Sequence, residues 1–223
     1  AVEWGVNEKV AFEVAAAASF AGKRSCAIMK QVGVNVAADA LMSVAYFDLA
    51  GGFVLVAADD PGPHSSQTEQ DSRSFAQFAK IPCFDPSSAV EAKHMVFDAF
   101  DLSEQYHIPV MLRPAGRVNH CREDVELGVV RPGDHPAKFV KDVRRWVCLP
   151  AHVRLTHPQL NAKNDAIRQD FESRFGAYNY ELAAKKPAKL GIVAGGVSFA
   201  IVQDLLASWG REDVAVLKIG TPV

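Results

Sequence analysis

An alternation of short apolar runs and helical patterns, between Asn7 and about Pro114, limits the possible folds more than any other feature of this sequence. The run 53–58 is apolar at every position and has the length of one strand. Shorter apolar runs of the same kind occur at 25–29, 81–84 and 109–114. Apolar strands joined by helices are typical of a parallel sheet with helices on both faces. We therefore predict an α/β fold for this part of the chain.

The first predicted helix begins after Asn7, whose side chain is suited to cap it, and ends near Gly22. Its apolar face carries only small side chains, namely Ala11, Val14, Ala15, Ala18 and Ala21. Such a face lets the helix pack closely against a sheet or against a second copy of the chain. Further helices are predicted from Asn35 to about residue 45, over 69–79 with Phe75 and Phe78 facing inward, and after a capping turn at 85–88.

The alternation stops near residue 115 and starts again near Lys189. The intervening residues are rich in charge and proline, and they contain one surface-helix pattern over 163–181 with Ile167, Phe171 and Phe175. A strand at 190–194, a helix at 198–208 and a strand at 214–219 then form one βαβ unit. We therefore predict a first domain over 1–116, a linker over 117–186 and the start of a second α/β domain over 187–223. Both domains are expected to be truncated parts of a longer protein.

Composition narrows the classes of partner. The chain has 223 residues, of which 49% are hydrophobic and 22% charged, with a formal net charge of -2. The basic residues form no stripe that could neutralise phosphates, so we expect no nucleic-acid partner. One small basic cluster comprises Lys138, Lys141, Arg144 and Arg145. We interpret this cluster as a solvent-exposed face rather than as an anion-binding site. With no apolar run near the ~20 residues of a membrane span and no signal peptide, we expect a cytoplasmic protein without membrane contact.

Cysteine and histidine spacing argues against a metal site. The four cysteines are widely spaced without a C-x-x-C pair, which fits reduced thiols rather than disulfides, zinc or an iron–sulfur cluster. The histidines show no ligand spacing on any one helix. We therefore predict no metal ion bound by this chain.

One acidic residue lies at the N-terminus of the first predicted helix. Glu8 follows the capping Asn7, and a carboxylate at this position often does no more than complement the helix dipole. A carboxyl group in an apolar site can also hold a proton ready for exchange. Glu3, which precedes Trp4, is the competing acid.

Three stretches of the sequence resemble a known family. They are EWGVNEKVA at 3–11, MKQVGVNVAAD at 29–39 and ADDPGPHSSQTEQDSR at 58–73, and the likeness continues in LRP at 112–114 and RVNH at 117–120. They look like the pyrimidine-binding domain in the large (alpha) subunit of the indolepyruvate:ferredoxin oxidoreductases, which are thiamine-diphosphate-dependent 2-oxoacid:ferredoxin oxidoreductases. Residues 189–220 resemble the start of the transketolase C-terminal-like domain that follows in that subunit. The likeness covers nearly the whole chain, most loosely in the linker.

The resemblance implies an activity and its partners. Indolepyruvate, or another aryl 2-oxoacid, reacts with coenzyme A to give an aryl-acetyl thioester and carbon dioxide, and the electrons pass to ferredoxin. The implied cofactors are thiamine diphosphate with Mg²⁺ and iron–sulfur clusters. The implied partners are a beta (small) subunit, ferredoxin, coenzyme A and a second copy in a dimer.

The resemblance implies a role for Glu8, and the positions and chemistry of other residues suggest further roles. Glu8 is expected to hydrogen-bond the pyrimidine ring of the cofactor. Gly33, Val34 and Asn35 follow a strand end and are expected to contact the pyrimidine through backbone groups, although a tight turn would explain the glycine equally well. His64 is a candidate for binding the substrate carboxylate or relaying a proton, or for ordering its loop. Around it, Asp59, Asp60, Gln70 and Asp71 are expected to brace the loop through side-chain to backbone bonds.

Other elements of the reaction are absent from the sequence. No Gly-Asp-Gly motif with a downstream Asn is present to hold Mg²⁺ and the diphosphate, so we expect that site and the iron–sulfur clusters elsewhere in the full subunit. This fragment alone is then expected to be inactive. The alternative function is a non-catalytic α/β module for dimerisation or subunit interaction. Gly195-Gly196, at the start of a helix, is read either as a phosphate cradle or as a plain turn.

Overall fold

The first half of the chain folds around one parallel sheet. A computed structural model describes residues 2–62, 66–129 and 136–223. Its first sheet has four parallel strands in the order β1-β2-β4-β3. The strands are β1 Ser25–Lys30, β2 Phe53–Ala58, β3 Cys83–Phe84 and β4 Val110–Leu112. The sheet is flanked by helices, so the predicted α/β fold is confirmed.

Five helices alternate with these strands, and two of them carry side-chain caps. They are α1 Glu8–Phe20, α2 Gln31–Val44, α3 Arg73–Ala79, α4 Ala89–Tyr106 and α5 Gly116–His120. The Asn7 side chain accepts a hydrogen bond from the backbone N–H of Val10 at 2.9 Å, which confirms the predicted cap of α1. Ser88 caps α4 in the same way through the backbone N–H of Glu91 at 3.1 Å.

Two helices differ from their predicted bounds. Helix α2 begins at Gln31, directly after β1, and not at Asn35 as predicted. Lys30 is the N-cap and makes no side-chain capping bond, so the sequence contained no local start signal for this helix. Helix α3 begins at Arg73 rather than near residue 69, and Phe78, predicted to face inward, is 77% exposed. This seven-residue helix buries Ala76 and Ala79 and packs a partly buried Phe75 against the core, as predicted for that residue.

The second half of the chain adds three helices and a smaller sheet. Its elements are α6 Val143–Trp146, α7 Pro150–Glu172, β5 Tyr180–Leu182, β6 Leu190–Gly195, α8 Gly196–Ser208 and β7 Val214–Ile219. The strand order is β5-β7-β6, with β6 and β7 parallel and β5 antiparallel. The predicted βαβ unit is therefore confirmed. The sheet also contains β5, which lies in the segment predicted as linker, and the domain boundaries themselves stay a prediction.

Helix α7 differs from its prediction in position and in environment. It runs from Pro150 to Glu172, whereas the surface helix was predicted over 163–181. Its buried face reaches the core of the first sheet through Leu160, Ile167 and Phe171. Pro150 in its first turn is a favourable start signal that the sequence analysis did not use. Among the described residues, no helix combines the length and apolar character that crossing a bilayer requires.

The two sheets meet along α4 and β3. Lys218 on β7 is buried and pairs with Glu91 on α4, and its ammonium lies 5.4 Å from the ring centre of Tyr180 and 5.3 Å from that of Phe199. The backbone N–H of Asp85 donates to the carbonyl of Gly220 at 2.8 Å. The chain after β7 therefore lies along the outer edge of β3, and backbone bonds and one buried ion pair join the sheets.

An aromatic cluster centred on Phe84 packs α7 against the edge of the first sheet. The Phe84 ring lies edge-on to Phe171 at 5.4 Å, to Phe175 at 5.8 Å and to Tyr178 at 5.7 Å between ring centres. Aromatic pairs in this geometry contribute about 0.5–1.5 kcal/mol beyond their burial. The cluster therefore explains why this part of the predicted linker is folded onto the first sheet.

We expect Phe84→Ala to lower the free energy of unfolding by about 3–5 kcal/mol, because the substitution leaves a cavity at the centre of this cluster. Phe78→Ala removes the same atoms from an exposed ring and should change stability by no more than about 0.5 kcal/mol. Urea unfolding followed by circular dichroism measures both. Equal losses in the two variants would contradict the packing described here.

Candidate functional site

A buried cluster of charges lies where β2, β3 and β4 end. Asp59, Asp85 and Arg113 come directly after these strands, and all three are buried. The Arg113 guanidinium donates through Nε to Asp59 Oδ2 at 2.6 Å and through Nη1 to Asp85 Oδ1 at 3.3 Å. Because the strands are parallel, their carboxyl ends meet at one edge of the sheet, the usual place for ligands in α/β proteins.

Asp59 also fixes the chain that follows β2. Its carboxylate accepts hydrogen bonds from the backbone N–H of Ser72 at 2.8 Å and from the Ser72 hydroxyl at 2.5 Å. The hydroxyl of Ser66 donates to Asp60 at 3.0 Å, and Asp71 accepts from the backbone N–H of Arg73 at 3.1 Å. The prediction that acids brace this segment is therefore confirmed for Asp59 and Asp71, whose bonds reach the backbone.

The electrostatics of the cluster follow from burial. Removal from water raises the pKa of the Asp85 carboxyl, and the charges of Arg113 and Arg73 oppose that rise. The hydrogen bond from Arg73 holds the pKa of Asp71 below its ordinary value. Arg113 thus faces two buried carboxylates, each of which would be costly to bury without it.

Glu8 and Gly33 are brought together although they lie 25 positions apart in the sequence. A methyl group built on Gly33 would lie 2.4 Å from Glu8 Cγ and 3.1 Å from its Oε1. Gly33 therefore lets the first turns of α1 and α2 approach each other with the carboxylate between them. Glu8 is half-buried, and its carboxylate has no hydrogen bond or ion pair with any residue in the described part of the chain.

The three predicted pyrimidine-contact residues lie in the first turns of α2 and not in a loop. Val34 is fully buried in the core, whereas Asn35 is exposed. The turn that would have explained Gly33 is therefore absent, and its role is close approach to Glu8. The structure brings Glu8 beside Gly33 and leaves the Asn35 side chain facing solvent.

Gln31, which the sequence analysis did not single out, carries an unpartnered polar atom. Its side chain is buried at the start of α2, where Nε2 donates to the carbonyl of Thr68 at 3.3 Å and Oε1 has no partner among the described residues. Gln70 donates to the Thr68 hydroxyl at 3.1 Å, and within the same part of the chain its buried Oε1 is also without a partner. A buried acceptor without a donor costs about 1–3 kcal/mol, so both amide oxygens are suited to accept from a ligand N–H.

The remaining sequence candidates are placed as follows. His64 lies outside the described residues. Glu3 is exposed in the extended segment before α1. In the basic cluster, Arg145 donates to the carbonyl of Asp48, and the other three side chains are exposed to solvent as predicted.

The glycine pair at the start of α8 already faces an anion from this chain. A methyl group on Gly196 would lie 2.5 Å from Asp85 Oδ1, and Gly196 has a positive φ of 49° that favours glycine. The carboxylate of Asp85 therefore lies against this helix start. Of the two readings of the glycine pair, the structure supports a turn that admits Asp85 and not a phosphate cradle.

No group of three or more potential metal ligands comes together among residues 2–62, 66–129 and 136–223.

The sequence analysis did not predict the buried cluster of Asp59, Asp85 and Arg113, for a simple reason. Each of its charged residues directly follows an apolar strand, which is a readable signal, but the sequence does not reveal that the three ends face one another.

The chain matches no family model. Its sequence is 45% identical to indolepyruvate oxidoreductase subunit IorA of Thermococcus kodakarensis and 42% identical to that of Archaeoglobus fulgidus, in each case over 99% of the chain. The chain is a relative of the IorA subunits. It spans 34% of the first of these proteins and 35% of the second, about a third of their length. The resemblance predicted from the sequence is confirmed.

Solved structures agree with the fold. A 2-oxoglutarate:ferredoxin oxidoreductase from Magnetococcus marinus, described with 2-oxoglutarate, coenzyme A and succinyl-CoA bound, matches with a TM-score of 0.67 at 16% identity, over 98% of this chain and 46% of that one. A split-gene transketolase, described as an inactive beta4 tetramer, matches with a TM-score of 0.55 at 16% identity, over 98% of this chain and 56% of that one. At this level of identity the likeness shows the α/β fold alone.

We expect Arg113→Met to lower the free energy of unfolding by about 3–5 kcal/mol, because it leaves two buried carboxylates without their cation. The loss should shrink as pH falls, since protonation removes the uncompensated charge of Asp85. Arg168→Met breaks an exposed pair with Asp165 and should cost no more than about 1 kcal/mol. Urea unfolding at several pH values measures both; a loss for Arg113→Met that does not depend on pH would contradict this account.

Proposed function

We propose that this chain is part of a 2-oxoacid:ferredoxin oxidoreductase that converts indolepyruvate, or another aryl 2-oxoacid, and coenzyme A to the aryl-acetyl thioester, carbon dioxide and reduced ferredoxin. Within that enzyme the chain contributes the pyrimidine half of a thiamine diphosphate site. The relationship to the IorA subunits supports the reaction class. One structural observation supports the site: the Glu8 carboxylate, unpartnered among the described residues, lies against Gly33 at the mouth of α1.

The residues at this position fit an aminopyrimidine ring. Such a ring offers a nitrogen that accepts a hydrogen bond and an amino group that donates one. Glu8 can hold a proton toward the ring nitrogen. Gln31, two residues before Gly33 on α2, has a buried amide oxygen without a partner among the described residues, and this oxygen is proposed to accept from the amino group. Gly33 keeps the space beside the carboxylate free of a side chain. When bound, thiamine diphosphate supplies the nucleophilic carbon that attacks the keto group of the substrate.

The role of Glu8 is to hold a proton at the ring nitrogen of the bound pyrimidine. Its position between the starts of α1 and α2 would bring the carboxyl group within hydrogen-bond reach of a ring bound at this place. Buried Val34 keeps the first turns of α2 fixed against the core, which orients Gly33 toward Glu8. His64 remains a proposed second site residue, for the substrate carboxylate or for proton relay.

The rest of the machinery belongs, in this proposal, to other parts of the enzyme. Mg²⁺ and the diphosphate would be held outside this chain, as would the iron–sulfur clusters. The beta (small) subunit, ferredoxin and coenzyme A are the proposed partners of a dimeric, cytoplasmic enzyme. The chain alone would be inactive. We retain as part of the proposal the division into a pyrimidine-binding domain at 1–116, a linker at 117–186 and the start of a transketolase C-terminal-like domain at 187–223.

One observation favours the alternative, a module for subunit interaction. The outer face of α1 exposes Val10 and Val14, and Ile28 on the edge strand β1 is 73% exposed. Exposed apolar side chains of this kind often mark an interface. A catalytic subunit can also use this surface as an interface. A test of Glu8, and not of this surface, therefore distinguishes the two functions.

We expect Glu8→Gln in the full-length enzyme to reduce indolepyruvate- and coenzyme A-dependent dye reduction by about a hundredfold or more, because the amide cannot hold an exchangeable proton. Glu3→Gln and Glu13→Gln change exposed acids on either side and should leave turnover within about twofold. Subunit assembly is followed by gel filtration. Unchanged turnover in a folded Glu8→Gln enzyme would leave only the interaction module.

Gly33→Ala tests the space beside the carboxylate. The added methyl group would meet Glu8 Cγ, so the carboxylate must move away from its position between the helices. We expect thiamine diphosphate binding, measured by calorimetry, to weaken at least about tenfold. Gly128→Ala is the matched control, because a methyl group there has no heavy atom within 4 Å. Equal binding by Gly33→Ala and the natural enzyme would contradict the proposed position of the ring.

A further inference from the structure

A cavity whose lining does not include Glu8 lies at the junction of the two sheets. Its volume is about 350 Å³, and its lining includes Arg117 and Arg122, Ser87 and Ser88, and Val197. Ser87 and Ser88 follow β3, and Arg117 lies in α5, which follows β4. Val197 lies in the first turn of α8, which follows β6 in the second sheet. The cavity therefore opens at the carboxyl ends of strands from both sheets, where α/β proteins usually bind ligands.

Two arginines, Arg117 and Arg122, line this cavity, and both side chains are exposed to solvent. Within the described residues, neither Arg117 nor Arg122 has a hydrogen bond or ion pair from its side chain, whereas Arg24, Arg73 and Arg113 are each paired with carboxylates. The cavity lining therefore carries two positive charges against the one negative charge of Glu123, which favours an anionic ligand. An arginine fork is also the side chain best matched to carboxylate and phosphate oxygens.

The acids near the cavity are already engaged with backbone groups. Glu123 Oε2 accepts from the backbone N–H of Ala89 at 3.0 Å and of Val90 at 3.1 Å, at the start of α4. Glu91 Oε2 accepts from the backbone N–H of Ser87 at 2.6 Å and from its hydroxyl at 2.7 Å. Glu123 therefore anchors the segment that carries Arg122 beside α4. The start of α4 is satisfied by this carboxylate and is not part of the site.

We propose that this cavity is a binding site for an oxyanion, either a carboxylate or a phosphate group of a small molecule, held between Arg117 and Arg122. The volume suits a small ligand or one charged end of a larger one. Glu123 limits the affinity, because its charge lies beside the anion. The site does not depend on Glu8 or on thiamine diphosphate, so it can fail or stand independently of the proposed function.

The test is calorimetric titration of the full-length protein with two probes, inorganic pyrophosphate for the phosphate class and indole-3-acetate for the carboxylate class. The variants are Arg117→Gln with Arg122→Gln, Glu123→Gln, and Arg154→Gln as control. Arg154 is an exposed arginine on α7 that, in the described part of the chain, also lacks a partner. Arg154→Gln therefore makes the same chemical change as each site substitution, at a place remote from the cavity in sequence.

We expect the double arginine variant to lose at least about tenfold in affinity for one probe, because hydrogen bonds from a charged guanidinium to an oxyanion are stronger than those between neutral groups. Arg154→Gln should change it less than about twofold, and Glu123→Gln should tighten it. The probe that responds identifies the class of oxyanion. Loss for neither probe, or an equal loss in the Arg154→Gln control, would overturn the proposal. Circular dichroism confirms that the variants are folded.

Discussion

One buried guanidinium holds together the ends of three strands. Arg113 lies between Asp59 and Asp85, and each of these carboxylates would be expensive to bury without it. Asp59 connects Arg113 to Ser72 at the start of α3. Asp85 connects Arg113 to the start of α8 in the second sheet. The carboxyl edge of the first sheet therefore depends on these three side chains, and its junction with the second sheet depends on them together with the buried Lys218–Glu91 pair.

Two helices of this chain begin in the same way. Helices α2 and α8 have no side-chain cap, and each has a glycine near its start that leaves room for a carboxylate from another element. At α8 that carboxylate is Asp85, which is neutralised by Arg113 and is structural. At α2 it is Glu8, for which the described residues provide no cation. Because Asp85 is paired with a cation, whereas Glu8 is not paired with any described residue, Glu8 is the acid that remains available for chemistry.

The sequence predicted the elements that depend on local signals. Asn7 as a cap, the apolar run of β2 and the unit from β6 to β7 all follow from short-range patterns, and the structure has them where they were predicted. The start of α2 was missed because Lys30 makes no capping bond. Helix α7 was misplaced because its apolar residues are sparse and its burial depends on the distant Phe84 cluster. The contact of Glu8 with Gly33 joins two separate helices, which no local pattern encodes.

The candidate site was predictable only in part. Glu8 was chosen by resemblance and Gly33 by its position after a strand end, whereas Gln31 and Gln70 emerge only from buried oxygens that have no partner among the described residues. A crystal structure of the full-length protein with thiamine diphosphate tests the central claim most directly. The account predicts a Glu8 carboxylate oxygen within about 2.6–3.2 Å of a pyrimidine ring nitrogen. A pyrimidine ring bound elsewhere, with Glu8 facing solvent, would contradict it.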